Sequence, residues 1–146
     1  MQSQLALINT IRGQKAKYCR FVDTKRWADF VDLIADRATL RFFAPDGSLL
    51  YEFDSRAEWM KVMEPFLEGA QTIHQVHNDE IEVISDTEVR AIWSMEDYLL
   101  LAPGNDRPQS IHGFGHYHET WRLLDGSWRL VELELHRTIL SVVPRT

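Results

Sequence analysis

The stretch QSIHGFGHYHETWRLLDGSWRLVELELHRTILSVV, Gln109 to Val143, decides the fold. It is rich in β-branched and aromatic residues, and Asp125-Gly126 interrupts it near the middle. Asp-Gly between two such runs is the signature of a tight hairpin, because both turn residues must take positive φ. Gln109–Leu124 and Ser127–Val143 therefore read as two long antiparallel strands. Two similar segments precede them, Thr72–Ile84 and Glu88–Leu101, joined by SDT near Ser85. The second and third segments are linked by the longer PGNDRP, Pro103 to Pro108. Four long strands in sequence make an antiparallel meander.

The first half has helical character. Leu5, Ile8, Ile11, Lys15, Tyr18 and Val22 recur at spacings of three and four and share one helical face. Residues 24–35, TKRWADFVDLIA, continue as a second helical piece with Trp27, Phe30, Val31 and Ile34 as its apolar stripe. TLRFFAPDGSLLYEF reads as two short strands around a Pro-Asp-Gly-Ser turn. SRAEWMKVMEPFLEGA is a third helix with Ser55 and Glu58 spaced as a capping box, Pro65 bending or ending it, and Gly69 as its stop. Helices first and a long meander after give an α+β domain over residues 1–146. The helices pack on one face of a curved sheet and a pocket lies between the layers.

Composition excludes several classes. The net charge is −6, from 22 acidic and 16 basic residues, and no basic run is present, so no nucleic-acid partner is expected. Cys19 is the only cysteine, which rules out an intrachain disulfide. No apolar run is long enough to span a membrane and the N-terminus has no signal-peptide core, so a cytoplasmic protein is expected.

Strand parity identifies the unusual charges. Trp93, Met95, Asp97, Leu99 and Leu101 share a face on which Asp97 is the only charge. Val131, Leu133, Leu135, Arg137 and Ile139 share another on which Arg137 is the exception. Two readings remain open: a plain one, in which Asp97 and Arg137 pair with each other or either strand is bulged and the face assignment fails, and a functional one, in which both point into the pocket. His112, His116 and His118 share parity with Phe114, but their spacing is not that of a metal site, and no metal is expected. Gly113 and Gly115 mark a bulge or a close approach. His74 and His77 in TIHQVHN fall on opposite faces. Asp23 could be a plain helix cap, and Tyr18 a core tyrosine with a satisfied hydroxyl.

Together, KYCRFVDTKRW (Lys17–Trp27), HQVHNDEIEV (His74–Val83), WSMED (Trp93–Asp97) and DGSWRL (Asp125–Leu130) resemble the nuclear transport factor 2-like superfamily in its SnoaL-like branch. Their order and spacing match over nearly the full length. Within the superfamily the pattern is most similar to bile-acid 7-alpha-dehydratases, and more thinly to scytalone dehydratases and hexachlorocyclohexane dehydrochlorinases. The resemblance implies a cone-shaped fold and cofactor-free elimination. It implies that Tyr18, Asp23 and His74 are catalytic, with His74 as base, Asp23 as its orienting carboxylate and Tyr18 as a hydrogen-bond donor to a developing oxyanion. It implies that Asp97 and Arg137 position the substrate, with Trp93, Met95 and Leu99 lining the pocket for a small hydrophobic molecule. Asn78 matches a secondary position, and His77 is left as a structural or interface residue. A homo-oligomer, dimer or trimer, is expected through the convex sheet face. Departures occur at Leu99, Val22 and Tyr18, where scytalone dehydratase has a histidine and a tyrosine and the dehydrochlorinase a lysine. The chain also ends at Thr146, where several relatives carry a longer tail over the pocket. The superfamily holds non-catalytic binding and assembly modules too, as well as isomerases and cyclases that tend to use a carboxylate base, for which Asp97 is the candidate here.

Overall fold

The computed structural model describes residues 2–104 and 106–146. Three helices, α1 (Gln4–Asp23), α2 (Trp27–Asp32) and α3 (Arg56–Phe66), cover one face of a six-stranded sheet. The strands are β1 (Ile34–Phe43), β2 (Leu49–Phe53), β3 (Gln71–Ser85), β4 (Glu88–Leu100), β5 (Ser110–Leu124) and β6 (Ser127–Val143), in spatial order β2-β1-β6-β5-β4-β3. Every neighbouring pair is antiparallel except β1 with β6. This is the expected α+β architecture, with the meander occupying one side of the sheet.

The turns form for the reasons their residues dictate. Asp125 and Gly126 take φ of 52° and 81°, the positive pair that a two-residue hairpin needs. In the β1–β2 turn, Gly47 has φ of 88°, and Asp46 Oδ1 accepts from both the backbone N–H and the hydroxyl of Ser48. Ser55 caps α3 by accepting from the Glu58 N–H at 3.2 Å. Glu58 accepts from the Asp54 N–H, one residue earlier than a standard capping box. Pro65 is the penultimate residue of α3. In the long β4–β5 connection, Asn105 lies outside the described residues.

The helical readings need two corrections. On α1 the buried stripe is Leu7, Ile11, Lys15, Tyr18 and Val22; Leu5 is exposed and Ile8 half-buried. Leu5 precedes Leu7 by two residues, roughly 200° around the helix, and so points away from the sheet. The second helical piece spans only Trp27–Asp32. Ile34 and Ala35 open β1 instead, because Ile34 pairs with Leu130 and the Leu130 N–H reaches the Leu33 carbonyl at 2.8 Å. Tertiary pairing overrides local helical propensity there.

Two bulges shape β6. The β5 register runs from Phe114↔Ile139 to Gly115↔Arg137, leaving Thr138 as the extra residue, and from Thr120↔Glu132 to Trp121↔Leu130, leaving Val131 extra. Each bulge swaps the face of the residues beyond it. The inward set is therefore Trp128 and Leu130, then Leu133, Leu135 and Arg137, then Leu140. Val131 is only half-buried and Ile139 exposed, so the simple parity grouping fails at both ends while holding for the middle three. The core between sheet and helices holds Ile11, Phe30, Ile34, Leu40, Val89, Trp121, Leu130 and Leu133, all without solvent exposure.

Candidate active site

β3 is an edge strand, so alternate N–H groups along it have no partner strand. The end of α1 covers that edge. Asp23 Oδ2 accepts from the backbone N–H of His74 at 2.9 Å, and Oδ1 accepts from the Thr72 hydroxyl at 2.9 Å. Oδ1 also lies 2.7 Å from His74 Nδ1. Asp23 thus grips both the backbone and the ring of one residue, and it does not cap α2, whose N-cap Arg26 has no side-chain cap bond. Lys25, in the left-handed region at φ 60°, donates from Nζ to Thr72 Oγ1 at 3.4 Å, adding a cation beside Asp23. Burial pulls the Lys25 ammonium down, with the Asp23 charge acting against it.

A proton on Nδ1, shared with Asp23, leaves Nε2 of His74 as the ring's free lone pair. Nε2 stands 4.0 Å from Asp97 Oδ2, because His74 and Asp97 are register partners across β3 and β4. Asp97 is buried and held by Arg137 in a two-pronged pair, Nη1 to Oδ1 and Nη2 to Oδ2, both 2.8 Å. Burial opposes the guanidinium charge, but the bonds and charge of Asp97 outweigh it and the Arg137 pKa is raised. The two residues pair, and although β6 is bulged next to Arg137, its side chain keeps the inward face that parity gave it.

Gly113 makes room for that pair. A Cβ on it would lie 2.0 Å from Arg137 Nη1 and 2.9 Å from Asp97 Oδ1. Gly115 makes room for backbone instead: its Cβ would meet the His136 carbonyl oxygen at 2.3 Å. Both are close-approach glycines, and Gly115 also sits where the β5–β6 register shifts past Thr138.

A cavity of about 360 Å³ opens between α3, β2 and the sheet. Its wall is apolar, with Phe42, Phe53, Trp59, Met63, Leu99, Ile111 and Leu140, and Arg137 is its one charged lining residue. Leu99 and Arg137 thus stand where a pocket residue should. Trp93 and Met95 share the inward face but are packed in the core, at 3% and 2% exposure, and do not reach the cavity wall. Tyr18 is likewise buried, its ring against Phe30, Trp59 and Tyr117. Burial and then the Glu119 charge raise its hydroxyl well above the ordinary tyrosine pKa, with neighbouring Tyr117 acting against them. His77 and Asn78 are exposed; Asn78 sits at a β3 bulge with φ of 44°, away from the dyad. His116 and His118 lie on the outer sheet face, exposed, and His112 there bonds Glu96 at 2.7 Å. Among the described residues no His, Cys, Asp and Glu grouping could hold a metal ion, and no helix is long and apolar enough to cross a membrane.

Three further buried polar residues do not stand out in the sequence. Tyr117, Glu119 and Lys15 are fully or almost fully buried beside Tyr18. The signal was present: Tyr117 and Glu119 share the parity of Gly113 and Gly115, opposite to the histidines that attracted notice.

With this geometry in place, comparison with known proteins fixes the family. The SnoaL-like domain family matches residues 3–134. This chain belongs to it. A probable cyclase of Gibberella zeae is 33% identical over 135 residues, covering 87% of this chain and 88% of that protein. Among solved structures, a candidate scytalone dehydratase from Novosphingobium aromaticivorans superposes with a TM-score of 0.79 at 20% identity, covering 97% of this chain and 91% of that one. A hexachlorocyclohexane dehydrochlorinase from Novosphingobium barchaimii gives 0.75 at 18% identity, over 96% and 92%. At these identities the structural likeness establishes the fold: this SnoaL-like protein has the cone-shaped, NTF2-like arrangement of helices on a curved sheet.

Proposed function

We propose that this SnoaL-like protein is a cofactor-independent lyase. It eliminates water, or a comparable leaving group, from a small hydrophobic and ring-containing carbonyl compound. The observation that carries the reading is the Asp23–His74 contact, with one carboxylate bound to both the ring and the backbone N–H of the same histidine. Such a grip fixes ring orientation and tautomer, which is what a general base requires.

In this reading His74 Nε2 takes the proton from the carbon next to the substrate carbonyl. The electron pair moves into the new carbon–carbon double bond as the bond to the β-hydroxyl breaks. The imidazolium, stabilised by Asp23 and by Asp97 on its far side, returns the proton to the leaving oxygen, which departs as water. A positioned base of this kind contributes typically ~10²–10⁴ in rate. Tyr18 donates toward the carbonyl oxygen, where negative charge develops. Arg137, which Asp97 holds in place, binds the substrate's polar group at the cavity, and the apolar cavity wall takes the ring.

The relative from Gibberella zeae favours a second reading, cyclisation or isomerisation on the same residues. Here Asp97 is a poor base, since both its oxygens are bound by Arg137, so His74 keeps that role in either reaction. A screen of β-hydroxy carbonyl and 3-oxo steroid-like compounds separates the readings. Elimination removes 18 mass units as ~1 water and creates a conjugated chromophore, whereas isomerisation leaves the mass unchanged. A screen in which His74→Ala matches the native protein on every turned-over compound defeats both. We also infer self-association through the outer face, where Ile73, Tyr98, Leu100, Ile139 and Val143 are exposed; light scattering that gives the mass of one chain would contradict it.

A further inference from the structure

Two charges and two phenols that the dyad does not use fill the space between α1 and β5. The Lys15 ammonium has no solvent exposure and is ion-paired with Glu119 Oε2. It stands 3.5 Å from the ring centroid of Tyr18 and 3.7 Å from that of Tyr117. The other carboxylate oxygen, Oε1, accepts from the indole N–H of Trp93 at 2.8 Å and of Trp121 at 2.9 Å.

Stability does not account for this arrangement. A buried ion pair is often matched or bettered, by ~1–4 kcal/mol, by well-packed apolar residues of the same volume. Its orientation is more informative. The pair turns its positive end to two phenol faces and its negative end to two indole N–H groups, so every charged atom has directional partners. Lys15 lies about one helical turn before Tyr18 on α1, and Glu119 lies two residues after Tyr117 on the inward face of β5. Each element thus contributes one charge and one phenol, and a single ammonium is shared between the two rings. Neither ring can swing aside without uncovering a buried cation. The two rings meet edge to face, with centroids 6.0 Å apart.

We propose that the Lys15–Glu119 pair is a positioning device that locks the rings of Tyr18 and Tyr117 in their edge-to-face arrangement, and with them the direction of the Tyr18 hydroxyl. Its consequence for turnover rests on the elimination reading above; the locking itself does not.

The test is the double variant Lys15→Met/Glu119→Gln, which keeps the lysine stem's volume and an acceptor for the two indoles. The protein has four tyrosines, at 18, 51, 98 and 117, so uniform 3-fluorotyrosine labelling gives assignable ¹⁹F signals. The expected result is broadening or splitting of the signals from Tyr18 and Tyr117, with those of the exposed Tyr51 and Tyr98 unchanged. On a compound from the elimination screen, kcat falls about ten- to a hundredfold while KM stays within about twofold. In a Tyr18→Phe background, the same double change costs no further turnover. Unchanged Tyr18 and Tyr117 signals overturn the proposal, as does an equal kcat loss in both backgrounds. If the double variant does not fold, Lys15→Arg keeps the ion pair but sets a wider cation between the rings; it must shift the same two signals, and unshifted signals overturn the proposal. If Tyr18→Phe alone leaves turnover intact, the donor role of Tyr18 fails while the fluorine spectra still decide the locking.

Discussion

Replacing Asp23 with asparagine isolates what the carboxylate does for His74. The native oxygens accept from the Thr72 hydroxyl, the His74 N–H and the His74 ring. An asparagine has two orientations there. With its amide NH₂ toward the His74 N–H, two donors face each other on an edge strand and that N–H loses its partner. With its oxygen toward the N–H, that bond is kept, while the NH₂ replaces the oxygen that faced Nδ1 and the Thr72 hydroxyl, so the Thr72 proton must turn away and its oxygen accept instead. The ring must accept at Nδ1 and carry its proton on Nε2. The second orientation wins because a hydroxyl can rotate whereas the fixed backbone N–H cannot, and it removes the lone pair that abstracts the substrate proton. The stability cost is the difference between a charge-assisted and a neutral hydrogen bond, on the order of 1–2 kcal/mol. At this chain length that lowers the melting temperature by ~2–4 °C for each kcal/mol. The loss in kcat is much larger, ~10²–10⁴, or about 3–5 kcal/mol in the barrier. The assay pairs steady-state kinetics with ¹⁵N NMR of the His74 ring. Native protein should show the proton on Nδ1 and Asp23→Asn on Nε2. A switched tautomer with native kcat would refute the reasoning, as would a large kcat loss with no switch.

The two close-approach glycines should separate. Gly113→Ala pushes the Arg137 guanidinium off its two-pronged seat on Asp97, so it should lose turnover ~10²-fold through misplacement of the pair and also lower the melting temperature. Gly115→Ala meets rigid backbone and should destabilise by more than ~2 kcal/mol in a denaturant titration. Arg137→Met strands Asp97 in the interior and should cost about 3–5 kcal/mol, most of it recovered in Arg137→Met/Asp97→Asn. Burial pushes the Cys19 thiol up to about 11. Its thiolate is therefore roughly one part in a thousand at pH 8, so a disulfide reagent should leave native Cys19 unmodified and label it on unfolding.

How far the sequence could be read depended on whether a residue's surroundings were local. Asp125-Gly126 announced its hairpin because the turn's φ values are set by those two residues alone. Asp97 and Arg137 stood out because each breaks an apolar alternation within its own strand. The Thr138 and Val131 bulges did not, since they are defined only by register against β5. Ile34 looked helical from its neighbours and is a strand residue because of Leu130, nearly a hundred positions away. Lys15 sat on an apolar stripe in plain view, but Glu119, the only charge between Tyr117 and Trp121 on its strand face, is far away in sequence. The partners of Asp23 became visible only once α1 lay across the edge of β3.

The account rests on His74 as the base, and one comparison tests that most directly. His74→Gln keeps a hydrogen-bonding side chain of similar reach against Asp23. On a compound that the native protein dehydrates, its kcat should fall by at least ~10²-fold, with the melting temperature within a few degrees of native. A His74→Gln protein that turns the same compound over at the native rate would contradict the account.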